Sequence, residues 1–98
     1  MMNTTKKHPN VVVYPGRIPP HEIAFVNALI DDVDGIAVVR TEDPTEGRME
    51  FWVAPDLTEK FVTLYEAIKA QTGIDMSLGE PIPVSSEMLA YQKRLKGN

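Results

Sequence analysis

Residues 34–56, DGIAVVRTEDPTEGRMEFWVAPD, contain two apolar runs separated by a short polar segment. Residues 36–40 are β-branched or apolar up to a final arginine, and residues 49–54 include the only tryptophan of the chain. Residues 42–47 collect acidic residues, a proline that fixes φ, and a glycine that allows positive φ, which is the composition of a turn. The stretch therefore predicts a β-hairpin.

Helical patterns flank this hairpin on both sides. Residues 20–33 begin with a proline suited to a first helical turn and end before Gly35, and their apolar residues recur at helical spacing: Ile23, Val26, Leu29, Ile30 and Val33. A second helix is predicted from Asp56, with Glu59 as its capping partner, to Gly73. Its apolar stripe is Leu57, Phe61, Leu64, Tyr65 and Ile68.

The outermost segments complete the predicted order of elements. Residues 10–14 predict a mid-sheet strand that either ends or bulges at Pro15-Gly16. Residues 74–78 alternate and predict a half-exposed last strand, which the prolines of residues 79–83 would stop. Residues 84–98 predict a C-terminal helix capped by Ser85 or Ser86, with these apolar residues: Met88, Leu89, Tyr91 and Leu95.

The resulting order, β-α-β-β-α-β plus a C-terminal helix, predicts an α+β fold of the ferredoxin-like type. In this sandwich a four-stranded antiparallel sheet carries two helices on one face, and its first and third strands are central. The domain is expected to span residues 10–83, after a flexible N-terminus over residues 1–9 and before the C-terminal helix over residues 84–98. The other face of the sheet is open unless a partner covers it.

Composition narrows the class of protein. The chain has 98 residues, a net charge of −4 and no cysteine. The missing cysteine excludes disulfides, thiolate catalysis and cysteine metal sites, and fits a reducing compartment. No apolar run is long enough for a membrane span, and no signal-peptide core follows Lys6 and Lys7. We expect a cytoplasmic protein with no broad nucleic-acid surface.

Four parts of the chain carry a resemblance to a known family: residues 23–27 (IAFVN), residues 34–41 (DGIAVVRT), Gly47 and residues 51–53 (FWV). They resemble a small bacterial family known only as a domain of unknown function (number 4911). The likeness covers roughly residues 11–80 and implies no catalytic residue. The layout is also similar, more distantly, to the ACT domain. That resemblance implies a small ligand bound near the loop after the first strand, usually across a dimer interface.

The loop itself departs from the ACT pattern. ACT domains typically have Pro-Gly just before the first helix, whereas this chain has Pro19-Pro20 there and its Pro15-Gly16 four residues earlier.

One end of the predicted sandwich gathers basic groups. The ligand-binding candidates are Arg17, His21, Glu22, Arg40 and Arg48. With the start of the first helix, these residues could bind a small carboxylate or phosphate metabolite. The plainer interpretation is that the arginines pair with acidic residues of the hairpin, Glu42, Asp43 and Glu46.

Acidic residues gather at the opposite end: Asp31, Asp32, Asp34 and Asp56. They oppose the dipole at the end of the first helix, and a divalent cation or a basic partner would relieve that conflict. Ordinary turn chemistry at Asp34-Gly35 is the simpler explanation. We expect no metal and no cofactor.

Trp52 is the most informative single residue. If the residues on either side of it face the helices, alternation places Trp52 and Glu50 on the open sheet face. There Trp52 could lie in an interface between two chains or stack on RNA bases, although Glu50 would repel phosphate. With the opposite register Trp52 is part of the core.

Enzyme chemistry has little support, because His21 and Glu22 are adjacent on a helix and the terminal serines have no visible base. The sequence therefore predicts a non-enzymatic regulatory or binding module that senses a small anionic ligand as a homodimer. The alternative is a structural adaptor that docks on another protein through the open face without a ligand. An RNA-binding domain is the remote alternative.

Overall fold

The computed structural model describes residues 11–85, which form two helices and a five-stranded sheet. The elements in chain order are β1 (Val11–Arg17), α1 (Ile23–Asp31), β2 (Val38–Asp43), β3 (Arg48–Val53), α2 (Thr58–Thr72), β4 (Ser77–Leu78) and β5 (Ile82–Val84).

The strand order is β2-β3-β1-β4, with β5 also paired to β1, and every pairing is antiparallel. Strands β4 and β5 lie on the same edge of β1, since β4 pairs with Gly16 and Arg17 and β5 pairs with residues 11–13. Together they take the place of one fourth strand. This is the order of the ferredoxin-like sandwich, so the predicted fold class and the central positions of the first and third strands are confirmed.

The fourth strand is where the sequence prediction is wrong in detail. Of the predicted residues 74–78, only Ser77–Leu78 form a strand, and a further strand, Ile82–Val84, begins within the predicted stop at residues 79–83. An edge strand accepts Pro83, because a proline nitrogen turned away from the neighbouring strand leaves no ladder bond unmade. Val84, assigned by the sequence to the C-terminal helix, closes β5. Residues 86–98 of that predicted helix, and residues 1–10, lie outside the described residues.

Other boundaries shift by two or three residues. Strand β1 continues through Pro15-Gly16, as one of the two predicted alternatives. Strand β2 begins at Val38 rather than at residue 36, and it extends beyond Arg40 to Asp43. Helix α1 follows a 3₁₀ turn and ends at Asp31 instead of near residue 33.

The predicted capping pair of α2 does not form. Pro55–Leu57 make a 3₁₀ turn, so Leu57 occupies the N-cap and no side chain caps the helix. The Thr58 hydroxyl donates a hydrogen bond to the Pro55 carbonyl oxygen at 3.3 Å. At the other end Gly73 adopts φ +73° and terminates α2, as predicted.

The core lies between the helices and one face of the sheet. Phe51 of β3 is fully buried, and its ring centroid is 5.3 Å from those of Phe61 and Tyr65 on α2. Val26 and Ile30 of α1 belong to the same cluster. Both helices therefore bury their apolar stripes against the same sheet face, and no helix of residues 11–85 covers the other face.

Tyr65 also fixes α2 to the sheet through a polar contact. Its hydroxyl donates a hydrogen bond to the Ser77 carbonyl oxygen at 2.9 Å and lies 3.4 Å from the carbonyl oxygen of Arg17. Burial raises the pKa of the Tyr65 phenol above its ordinary value, because the phenolate would lose its hydration. The phenol therefore keeps its proton and remains a donor that joins α2 to the ends of β1 and β4.

Candidate functional site

The helix-free face of the sheet is built around Trp52. Residues 49, 51 and 53 of β3 are buried, whereas Glu50 and Trp52 are half-buried and point to the other side. The predicted alternation is confirmed, and Trp52 is absent from the core cluster. The alternative that placed Trp52 in the core is therefore wrong.

Two charged residues hold the Trp52 indole in place. Its ring N–H donates a hydrogen bond to Glu50 Oε1 at 3.0 Å. The Arg40 guanidinium carbon lies 5.3 Å from the indole centroid, which is the distance of a cation–π contact. Arg40 and Glu50 are direct cross-strand partners, so one cation and one carboxylate fix the same aromatic ring.

The register divides this face into two parts. The Trp52 half, on β2 and β3, comprises Val38, Arg40, Glu50 and Trp52. The valine half, on β1 and β5, comprises Val11, Val13, Ile82 and Val84. Val38 is 64% exposed and Ile82 is 51% exposed, so both halves present apolar surface to the outside.

The predicted arginine end is partly neutralised by the hairpin. Arg17 and Arg48 are cross-strand partners. Arg48 forms ion pairs with Asp43 at 3.5 Å and with Glu46 at 3.8 Å, and Arg17 Nη1 donates to the Glu46 carbonyl oxygen at 3.4 Å. The plainer interpretation, arginine paired with hairpin carboxylates, is confirmed for Arg48.

The turn of the hairpin is built on Asp43. One of its carboxylate oxygens accepts hydrogen bonds from the Thr45 hydroxyl at 2.7 Å and from the Thr45 amide at 3.0 Å. The hydroxyl bond is the main reason that the pKa of Asp43 is below its ordinary value, and the charge of Arg48 adds to it. The carboxylate beside Arg48 is thus held in its charged form.

The five predicted ligand-binding residues do not form one cluster. Arg17 and Arg48 lie together, whereas Arg40 lies within β2, opposite Glu50, rather than at the end of its strand. His21 is 81% exposed, and its Nε2 lies 3.7 Å from Glu22 Oε2, so these adjacent side chains approach each other against expectation.

Two backbone N–H groups at the start of α1 already donate hydrogen bonds. The Glu22 N–H is used within the 3₁₀ turn, where it donates to the Pro19 carbonyl oxygen at 2.8 Å. The N–H of Ile23 likewise donates to the carbonyl of Pro20. An anion at this helix start would compete with both bonds.

The opposite end of the sandwich carries exposed carboxylates and a groove. Asp31, Asp32 and Asp34 are exposed, and no group of three or more His, Cys, Asp or Glu within residues 11–85 is placed to hold a metal ion. A groove of about 810 Å³ runs between α2 and the loop after α1, with Val33 and Leu64 among its lining residues. This groove was not predicted, because the helical spacing of Val33 places it on the core-facing stripe of α1, whereas Val33 is 40% exposed.

Neither helix of the described part of the chain has the length and apolar content that crossing a membrane requires. No family model, curated protein or solved structure matches this chain. Its resemblance to the family of unknown function and to the ACT domain accordingly stays a prediction.

Proposed function

We propose that this protein is a self-associating interaction module in which the Trp52 half joins two copies of the chain. The observation that carries the proposal is a tryptophan on a sheet face that neither helix covers, held between Arg40 and Glu50. Tryptophan and arginine are the residue types most enriched among the energetic centres of protein interfaces. The exposed Val38 beside them extends the apolar contact area.

The contacts within the Trp52 half lower the cost of binding. A free tryptophan side chain would lose rotamer freedom on association, at a cost of about 0.5–1.5 kcal/mol. Here the hydrogen bond to Glu50 and the contact with Arg40 restrict the indole in the single chain. Much of this cost is therefore met during folding.

A second copy suits the Trp52 half because its charges are self-complementary. Arg40 and Glu50 face each other across β2 and β3. A two-fold axis at Trp52 would bring Arg40 of one chain towards Glu50 of the other, and the same contact would occur twice. We further propose a non-enzymatic role in the cytoplasm, a compartment that suits a chain without cysteine.

The test is the effect of Trp52→Ala on the molar mass in solution. We expect the unmodified protein to scatter light as a dimer of its 10.9 kDa chain at high micromolar concentration. Removing an interface tryptophan costs about 2 kcal/mol or more, so the dimer of the variant should dissociate about 30-fold more readily.

Phe25→Ala is the matched control, because Phe25 is an aromatic residue of α1 that is 50% exposed away from the Trp52 half. Its dimer should dissociate as the unmodified one does. A monomeric mass for the unmodified protein would refute self-association and favour an adaptor that uses the same half for a different protein. Equal effects of the two substitutions would show that the contact lies elsewhere.

A small anion at Arg17 and Arg48 is the second candidate function. Two like charges that face each other across a strand pair repel, and the hairpin carboxylates offset that repulsion only in part. A dianion could bridge the two guanidinium groups. This ligand would make the dimer a sensor of a small carboxylate or phosphate metabolite.

Titration with inorganic phosphate and with a dicarboxylate, followed by amide chemical shifts, tests this candidate. Millimolar ligand should shift the amides of residues 17–23 and 40–48, and Arg17→Ala should remove the shifts. Lys60→Ala, which removes an exposed positive charge from α2, is the control and should leave them unchanged. Absence of shifts in the unmodified protein would eliminate the sensor.

A further inference from the structure

Two buried valines lie on the face that the helices do not reach. Val13 is 7% exposed and Val84 is 8% exposed, yet neither belongs to the core cluster beneath α1 and α2. Val13 pairs directly with Trp52 and Ile82, so its side chain points to the helix-free face. Burial on this face therefore requires a cover other than the two helices.

Burial is concentrated next to the point where the described chain ends. Val84 closes β5 and pairs with Val11, and Ser85 is the last described residue. By contrast, Val38 on the far edge of the same face is 64% exposed. The protected part of the face is thus the part that residues 86–98 reach first.

The sequence of residues 86–98 fits a cover of this kind. Met88, Tyr91 and Leu95 recur at the spacing of one helical stripe, with Leu89 beside it. A helix over these residues would measure about 20 Å, whereas the outer strands of a four-stranded sheet are about 14 Å apart. The segment is therefore long enough to cross the valine half from its edge.

Charge favours the same contact. Residues 11–85 contain five Lys or Arg and thirteen Asp or Glu, a net charge of −8, whereas the whole chain has −4. Residues 86–98 contribute Lys93, Arg94 and Lys96 against Glu87, a net charge of +2. A basic segment tethered to an acidic domain is attracted to it, and the tether raises its effective concentration.

We propose that residues 86–98 of the same chain cover the valine half, with Met88, Tyr91 and Leu95 packed against Val13 and Val84. The segment forms a second layer on the sheet and leaves the Trp52 half free. This inference does not depend on self-association, because the two halves contain different residues. It assigns the valine half a partner within the chain rather than a second protein.

A spin label gives a direct test, because the chain contains no cysteine and Ala90→Cys creates a single attachment point. In a helix over these residues Ala90 would lie opposite the apolar stripe, so the label would leave the contact free. In the full chain, the label should broaden the methyl signals of Val13 and Val84 more strongly than those of Val26 and Ile30 beneath the helices. Equal broadening on both faces, or none, would overturn the proposal.

A mixed sample separates this contact from one between two chains. Labelled protein without ¹³C is combined with ¹³C protein that carries no label. Both proteins in the mixture carry Trp52→Ala, so that the proposed dimer contact does not itself bring the label near the other chain. Broadening of Val13 and Val84 in that mixture would also overturn the proposal, since the segment would then cover a neighbouring chain.

A pair of double variants tests which side of the segment packs. Met88→Asp with Leu95→Asp should shift the methyl signals of Val13 and Val84 towards exposed values. Ala90→Asp with Gly97→Asp adds the same charge on the opposite side and should leave the signals in place. Equal shifts from the two double variants would contradict the proposed packing.

Discussion

Replacing Phe51 by alanine should lower the free energy of unfolding by about 3–5 kcal/mol, the range found for buried aromatic residues. Phe51 is fully buried in the centre of the sheet, and its ring contacts those of Phe61 and Tyr65. The substitution removes apolar area from the core and leaves a cavity between β3 and α2. Stability of a small domain is itself only about 5–15 kcal/mol, so a large share of it would be lost.

Urea unfolding measures this effect, and Phe25→Ala is the matched control. Phe25 is the same residue type but is 50% exposed on α1, so its removal should cost well under half as much. The slope of the unfolding free energy against urea should stay similar in the two variants. If both substitutions lowered the midpoint equally, the core would not be centred on Phe51.

The architecture could be predicted because it depends on periodicity. The β-branched run of β1 and the stripes of α1 and α2 are local patterns, and the rules of strand connection convert their order into one sheet. The split of the last strand is not local. Pro83 has no N–H, so it breaks a strand only where a neighbouring strand would have accepted a hydrogen bond from that position. Its neighbours are known only once the sheet has formed, with Pro83 on an edge strand.

The start of α2 shows a similar limit. Asp56 and Glu59 have the spacing of a capping pair, but Pro55 begins a 3₁₀ turn, so Asp56 lies inside that turn rather than at the N-cap. The end of α2 was predictable because Gly73 acts through its own backbone conformation. A helix end that depends on the φ of one glycine was thus easier to predict from the sequence than a side-chain cap, which depends on the exact residue at which the helix begins.

The candidate site was predictable only in part. Alternation along β3 was enough to place Trp52 on the helix-free face. The contact with Arg40 was not predicted, because it depends on the register of β2 and on the irregularity between Thr41 and Asp43. The sequence brings charged residues to the right strands, but the register determines which of them meet.

Gly47→Ala is the second substitution with a large expected effect, because the hairpin turn approaches the chain after β1 there. The Gly47 carbonyl oxygen accepts a hydrogen bond from the Ile18 amide at 2.9 Å. A Cβ atom on Gly47 would overlap the Ile18 carbonyl oxygen, a backbone atom that cannot rotate away. The turn would have to separate from residue 18 to admit a methyl group.

We expect Gly47→Ala to lower the free energy of unfolding by about 2–3 kcal/mol. The left-handed backbone, φ +77°, costs an alanine about 1–2 kcal/mol, and loss of the bond to Ile18 costs about 1 kcal/mol more. Gly73→Ala isolates the first contribution, because Gly73 has φ +73° and nothing lies within 4 Å of its added Cβ. The difference between the two variants in urea unfolding therefore measures the close approach itself, and a difference near zero would mean that the hairpin turn does not pack on residue 18 in solution.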